Sequence, residues 1–357
     1  IWQSLLGIAP VGVRDSFFDL GGHSLLMTQM VAKLRAATKV TIPLRALVEL
    51  PTIEQLAEAI RAMGGSKPAD ARESQLVEIQ PGGQQQPLFC VHPLGGGVSV
   101  FIDLARHLGP DQPFYAFQAA DLETLSKVGS AYTSIEEMAS RYLTDLAKLQ
   151  PAGPYHLAGL SFGGQVAFEM AHQLNARGET VAFLGLLDTY APNPSAPAPD
   201  EETLLVGFAQ EIAAAAGKDI SLAAADLRPG NQEANLTRVL NLLKSEKLIA
   251  QNTDISTIRA FLNGVRTRIE TSRAYRPKVY AGKVTLFRAA ETSADLSAWV
   301  DLSDATYGWS RFSDREVDVV EVPGTHATIC VPPQVEILAR RLAAALKEAS
   351  CAVPTVA

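Results

Sequence analysis

Residues 155–168, YHLAGLSFGGQVAF, constrain the fold more than any other stretch of this chain. The apolar run YHLAGL reads as a short strand buried on both faces. FGGQVAFEMAHQLNARG, which follows, has helical spacing and a stop at Gly178. A strand that passes into a helix across a single serine needs a turn with little room for side chains. Gly159 and Gly163, in Gly159-Leu160-Ser161-Phe162-Gly163, supply it. Ser161 then projects above a sheet, with the backbone N–H groups of a helix N-terminus beside it. As a bare pentapeptide G-x-S-x-G is common, and the strand before it and helix after it give it meaning.

The same alternation continues along the chain. PLFCV, TVAFLGLLD, KVTLFRA and VDVVEV read as further strands, and LVEIQPGGQQQPLFCV as two strands around a Gly-rich turn. Strands alternating with helices predict a mostly parallel sheet covered on both faces. Residues 196–277 show helical periodicity and no strand, the pattern of a lid inserted between two strands or, more plainly, of packing helices. QEIAAAAGKDISLAAADL within it reads as helix. Residues 1–63 are helical, and TIEQLAEAIRAM opens with Thr52 as N-cap and Gln55 three residues on, a capping-box pattern. GGSKPADARES, polar and rich in Gly, Pro, Ala and Ser, reads as a flexible linker over 64–75. The expected domains are 1–63 and 76–350, with the lid at about 196–277.

A serine hydroxyl is a weak nucleophile without a base, and the base needs an orienting acid. After a strand–serine–helix turn of this kind the order should be Ser, acid, His. Of six histidines, His23, His92, His107, His156, His172 and His326, only His326 follows Ser161 outside the helix that carries His172. It lies in VEVPGTHATIC, a Gly-containing loop after a strand, and is the expected base. Asp188 ends the strand FLGLLD at the carboxyl edge of the sheet, where the site must be. It is favoured as the acid over Asp295, which lies farther out in a polar loop. Either carboxylate has the plainer alternative of a solvated loop. HPLGGG after PLFCV resembles the oxyanion-hole loop of lipases, which assigns one N–H to Leu94 and a second to Phe162. His92 is expected to tie that loop by hydrogen bonds.

Ser24 in FFDLGGHSLL is a second serine at the mouth of a helix, and by physics alone it is an N-cap. DSFFDLGGHSLLMTQMVAKL, however, resembles the carrier-protein signature of nonribosomal peptide synthetases. The resemblance implies a small four-helix-bundle carrier with 4′-phosphopantetheine attached to Ser24 by a phosphopantetheinyl transferase. PLFCVHPLGGG, YHLAGLSFGGQVAFEMA, LLD, GKVTLFRA and VPGTHATI resemble the type I thioesterase domains that end such synthetases. That implies an α/β-hydrolase fold, supports Asp188 as the acid, and makes the pair a terminal carrier–thioesterase. A peptidyl or acyl chain would pass from Ser24 to Ser161 and leave by hydrolysis or macrocyclisation. Leu160 stands where an aromatic residue is frequent in that family, which touches the pocket wall and not the Ser-Asp-His set. Upstream condensation and adenylation domains are implied partners, in a pure peptide or a mixed polyketide assembly line. The rival readings are a free-standing serine esterase with a docking domain and a catalytically inactive carrier or scaffold module.

Bulk properties narrow the rest. A net charge of −7 over 357 residues disfavours nucleic acid. No run of 18 apolar residues predicts a membrane span. The N-terminus lacks the pattern of a signal peptide and reads as a helix cut from a longer chain. Cys90, Cys330 and Cys351, odd in number and far apart, form neither a disulfide framework nor a zinc spacing, as expected of a cytoplasmic protein.

Overall fold

The structure is a computed structural model that describes residues 1–22, 24–40, 42, 45–63, 74–119, 132–216, 218–249, 251, 253–292 and 300–352. It divides into two compact units, residues 1–73 with 199–263 and residues 74–198 with 264–357. The first unit opens with four helices, α1 (Trp2–Leu6), α2 (Ser24–Thr38), α3 (Ala46–Glu49) and α4 (Ile53–Met63). Phe17 is fully buried and meets the rings of Trp2 and Phe18 edge-on at 5.3 and 5.5 Å. Met30, Leu47 and Leu56 are buried as well. The Thr52 hydroxyl oxygen caps α4 by accepting from the Gln55 N–H at 3.3 Å. The hydroxyl itself donates to Gln55 Oε1 at 2.9 Å, so the glutamine side chain meets the cap's side chain and not its backbone.

From Leu76 the chain runs β1 (Leu76–Gln80), β2 (Leu88–Val91), α5 (Ile102–Leu108), β3 (Phe114–Phe117), α6 (Ile135–Leu149), β4 (Tyr155–Leu160), α7 (Phe162–Ala176) and β5 (Val181–Leu187). Three helices follow, α8 (Glu201–Ala215), α9 (Gln232–Ser245) and α10 (Ile255–Ala274), and then β6 (Val284–Ala289), β7 (Val317–Val322) and α11 (Gln334–Ala352). The seven strands form one sheet in the order β1-β3-β2-β4-β5-β6-β7. All neighbours are parallel except β1, which runs antiparallel to β3 at the edge. The two apolar runs flanking the Gly-rich turn at 81–87 are therefore not neighbours, because β3 lies between them. Every residue of β2 and β4 is buried, as their unbroken apolar sequences require of central parallel strands.

Register places the site. Val91 is level with Gly159, Gly159 with Leu186, and Leu187 with Phe287. The carboxyl ends of β2, β4 and β5 thus stand side by side, and the loops leaving them start from one edge of the sheet.

Helices α8 to α10 share a core of their own, with Leu205, Phe208, Leu236, Val239, Leu243, Ile258 and Leu262 buried together. By compactness residues 199–263 group with the N-terminal helices, where the sequence suggested a lid belonging to the sheet domain. The Ala-rich stretch is not one helix. α8 stops at Ala215, with the Ala216 and Lys218 N–H groups folded back onto Ala213 O at 3.0 and 2.9 Å, just where the sequence carries Gly217. The expected linker at 64–75 falls almost wholly outside the described residues. Among the described residues no helix is long and apolar enough to cross a membrane.

Candidate active site

Ser161 sits between β4 and α7 with φ 55° and ψ −122°, a conformation that costs a non-glycine residue on the order of 1–3 kcal/mol. The surroundings enforce it. Its N–H donates to Leu187 O at 2.9 Å, and its carbonyl accepts from the Gly164 N–H at 3.0 Å. A Cβ on Gly159 would lie 2.1 Å from Gly163 O, and one on Gly163 would lie 2.2 Å from Val91 O and 2.5 Å from His92 O. Backbone packs on backbone here, so only glycine fits at either position. The same contacts hold the loop after β2 against the serine turn.

Asp188 follows β5, with φ 41°, and is fully buried. Its N–H donates to Phe287 O at 2.7 Å, and its Oδ1 accepts from the Ala289 N–H at 2.7 Å. Its Oδ2 accepts from the Tyr190 hydroxyl at 3.3 Å and from His326 Nδ1 at 2.7 Å. His326, on the loop after β7, places Nε2 3.1 Å from Ser161 Oγ. A carboxylate only accepts, so the proton of a neutral imidazole belongs on Nδ1, and Nε2 faces the serine hydroxyl as an acceptor. The side chain of His326 is about one-third exposed (34%), which leaves a way in for substrate while Asp188 stays dry. Asp295 lies outside the described residues.

Several supports had no clear sequence signal. The Tyr190 ring stacks on His326 at 5.6 Å and 27°. Trp309 Nε1 donates to Thr189 O at 2.8 Å, and Gln165 Nε2 donates to Tyr190 O at 3.0 Å. Burial, then the charge of Asp188, raises the Tyr190 hydroxyl well above its ordinary pKa and keeps it a donor. Of these, only Tyr190, two residues past Asp188, was within reach of local reading. Cys330 is buried, and burial followed by the charge of Asp188 pushes its thiol up to about 12, so it is no competing nucleophile.

His92 donates from Nδ1 to Pro93 O at 2.7 Å, so its Nε2 accepts from the Tyr142 hydroxyl at 2.9 Å. Burial, and secondarily the Arg268 cation, hold it down to about 3, and it ties the loop as a neutral ring. The Gly96 N–H closes a turn onto Pro93 O at 2.9 Å, and the Gly96 carbonyl accepts from the Ala119 N–H at 3.0 Å. Leu94 lies in this turn, and the His92 ring two residues earlier stacks on that of Phe162, the first residue of α7, at 6.0 Å.

At the other serine, α2 begins at Ser24 and carries no acidic side chain in its first turn. Gly21 has φ 88°, and a Cβ on Gly22 would lie 2.2 Å from the Phe17 ring, so the approach to this helix is fixed by packing on a buried aromatic. A helix N-terminus without an acidic residue in its first turn fits a phosphodiester, the anionic link of a phosphopantetheine arm.

Comparison with known proteins covers both parts of the chain. A thioesterase domain family matches residues 86–346, and a phosphopantetheine attachment site family matches residues 1–60. A dimodular nonribosomal peptide synthase of Bacillus subtilis (strain 168) is 30% identical over 98% of this chain, which spans 14% of that protein's length. A solved four-domain nonribosomal peptide synthetase, holo-AB3403 bound to AMP and glycine, aligns over 96% of this chain and 25% of its own, with TM-score 0.67 and 29% identity. The Vlm2 thioesterase domain aligns over 75% of this chain and 95% of its own, with TM-score 0.52 and 25% identity. With most of its length matched, the chain belongs to the thioesterase domain family and carries a phosphopantetheine attachment domain ahead of that domain.

Proposed function

We propose that this carrier–thioesterase pair ends a nonribosomal peptide assembly line, with Ser24 as the attachment point and Ser161, His326 and Asp188 as the releasing machinery. The observation that carries the reading is His326, whose two ring nitrogens lie 2.7 Å from Asp188 and 3.1 Å from Ser161. The 4′-phosphopantetheine, put in place by a phosphopantetheinyl transferase, supplies a thiol on which the peptidyl or acyl chain is carried as a thioester. Upstream condensation and adenylation modules build that chain, in the cytoplasm.

His326 Nε2 takes the Ser161 proton as Oγ bonds to the substrate's carbonyl carbon. Asp188 keeps the imidazole in the right tautomer and stabilises the imidazolium. The N–H groups of Leu94 and Phe162 receive the developing oxyanion, where prealigned donors do most of their work. The C–S bond then breaks, and His326 gives its proton to the departing sulfur. In the second half His326 is the base again, either for water or for an amine or hydroxyl of the chain itself. The first course yields a free acid, the second a macrocycle.

A fluorophosphonate probe tests the nucleophile. It should label the protein once, at Ser161, and Ser161→Ala should abolish both labelling and turnover of a soluble peptidyl thioester. Loss of any member of the set should cost about 10⁴-fold or more. Labelling or turnover that survives Ser161→Ala would overturn the reading.

A further inference from the structure

Two peptide planes flank the Cα of Leu94. The first contains Pro93 C=O and Leu94 N–H, the second Leu94 C=O and Gly95 N–H. A trans peptide is planar, so its C=O and N–H point in opposite directions, and a donor that captures the oxygen also aims the N–H. Pro93 O is held by His92 Nδ1 at 2.7 Å and by the Gly96 N–H at 2.9 Å. Leu94 O is held by Nε of Arg268, a residue of α10 that is 174 positions away in sequence. The guanidinium also lies over Gly96, with its Cζ 3.5 Å from where a Cβ on that glycine would be.

Arg268 is itself fixed to the frame of the nucleophile. One turn farther along α10 the Ser272 hydroxyl donates to Gln165 Oε1 at 2.7 Å. Just past the end of the helix the Tyr275 hydroxyl donates to Glu169 Oε2 at 2.8 Å, with both groups buried. Positions 268, 272 and 275 share one helix face. Gln165 and Glu169 belong to α7, the helix that starts beside Ser161.

We infer that Arg268 is the positioning residue of the oxyanion loop: His92 and the Gly96 N–H hold the first plane through Pro93 O, Arg268 holds the second through Leu94 O, and with both planes pinned neither torsion of Leu94 can relax and turn its N–H away from Ser161. The inference rests on the proposed function and adds a residue to it. Arg268 touches no reacting atom. Its cation beside a buried ring also helps keep His92 neutral, which preserves Nε2 as the acceptor for Tyr142. A lysine at 268 would keep charge and reach but lose the planar fork, and a methionine would keep reach alone.

The test compares Arg268→Met, Arg268→Lys and the unaltered chain with a short soluble peptidyl thioester and with the fluorophosphonate, whose phosphonyl oxygen occupies the oxyanion position. A misaimed donor weakens the transition state and spares ground-state binding. Arg268→Met should therefore lower kcat about 10- to 100-fold, with KM within about twofold, and should slow phosphonylation of Ser161 by a similar factor. Arg268→Lys should recover part of both, and it carries the test if the methionine variant does not fold. Unchanged kcat and labelling rate in a folded Arg268 variant, or a loss confined to KM, would overturn the inference. Turnover that persists in Ser161→Ala, run alongside, would instead overturn the underlying function, so the two failures are distinguishable.

Discussion

Each of the two serines at a helix start stands two residues after a glycine, but their settings differ in kind. Around Ser161 the backbone is over-determined. The residue takes a positive φ, its glycine neighbours touch main-chain oxygens, and the next side chains down the line are held in turn. On the approach to Ser24, Gly21 stands in open space and Gly22 rests on Phe17, on its ring and its carbonyl oxygen. A serine that must be activated by its own protein needs a base within 3.1 Å and a scaffold that keeps it there. A serine that another enzyme modifies needs only a helix start that favours an anion. The strained site is the one at which the proposed function has this chain perform its own chemistry.

That contrast can be broken by substitution. Gly163→Ala drives a Cβ into the carbonyls of Val91 and His92, neither of which can yield. It should cost about 3 kcal/mol or more and abolish fluorophosphonate labelling. Gly21→Ala meets nothing within 4 Å and should cost only about 1 kcal/mol, for its positive φ. Urea melts of the two variants check the pair, and equal costs would erase the distinction between the two turns.

Acid sharpens the comparison by a smaller step. His92 titrates near 3 when folded and near 6.5 when unfolded, so between those values the unfolded chain binds the extra proton. The stability that His92 contributes is whole above pH 6.5 and is lost as pH falls toward 3, by up to about 1.4 kcal/mol for each pH unit. His156, a buried strand residue held down to about 4 by desolvation, adds a similar slope over its narrower window. His92→Asn should flatten the dependence of the melting midpoint on pH between 6.5 and 4, whatever it does to the midpoint at neutral pH. An unchanged slope would mean that His92 is not the buried neutral ring described.

Local chemistry made the serine turn, and the histidine and aspartate gathered beside it, legible in sequence. Each announces itself by its immediate neighbours: Ser161 by flanking glycines, Asp188 by the apolar strand it ends, His326 by its place after the last strand. What stayed hidden depends on partners distant in the chain. β3, FYAF in sequence, is four residues long and acquires its place by pairing with both β1 and β2. The antiparallel edge strand cannot be told from a hairpin partner when only the turn between β1 and β2 is visible. Arg268 lies in a helix whose sequence shows an amphipathic pattern and nothing of the carbonyl it holds. Trp309 reads as one more core aromatic until its N–H is seen on Thr189 O. The end of α8 was missed because alanine continues a helix so well that the glycine at 217 was passed over.

The central claim is a relay from Ser24 to Ser161 within one chain, and intact-protein mass followed over time tests it most directly. A short peptidyl-pantetheine is loaded onto the full chain and onto Ser161→Ala. The account predicts that the added mass appears in both, then disappears only where Ser161 is present, and that the released product's mass tells water from ring closure. Loss of the acyl mass at the same rate from Ser161→Ala, or loading that persists in Ser24→Ala, would contradict it.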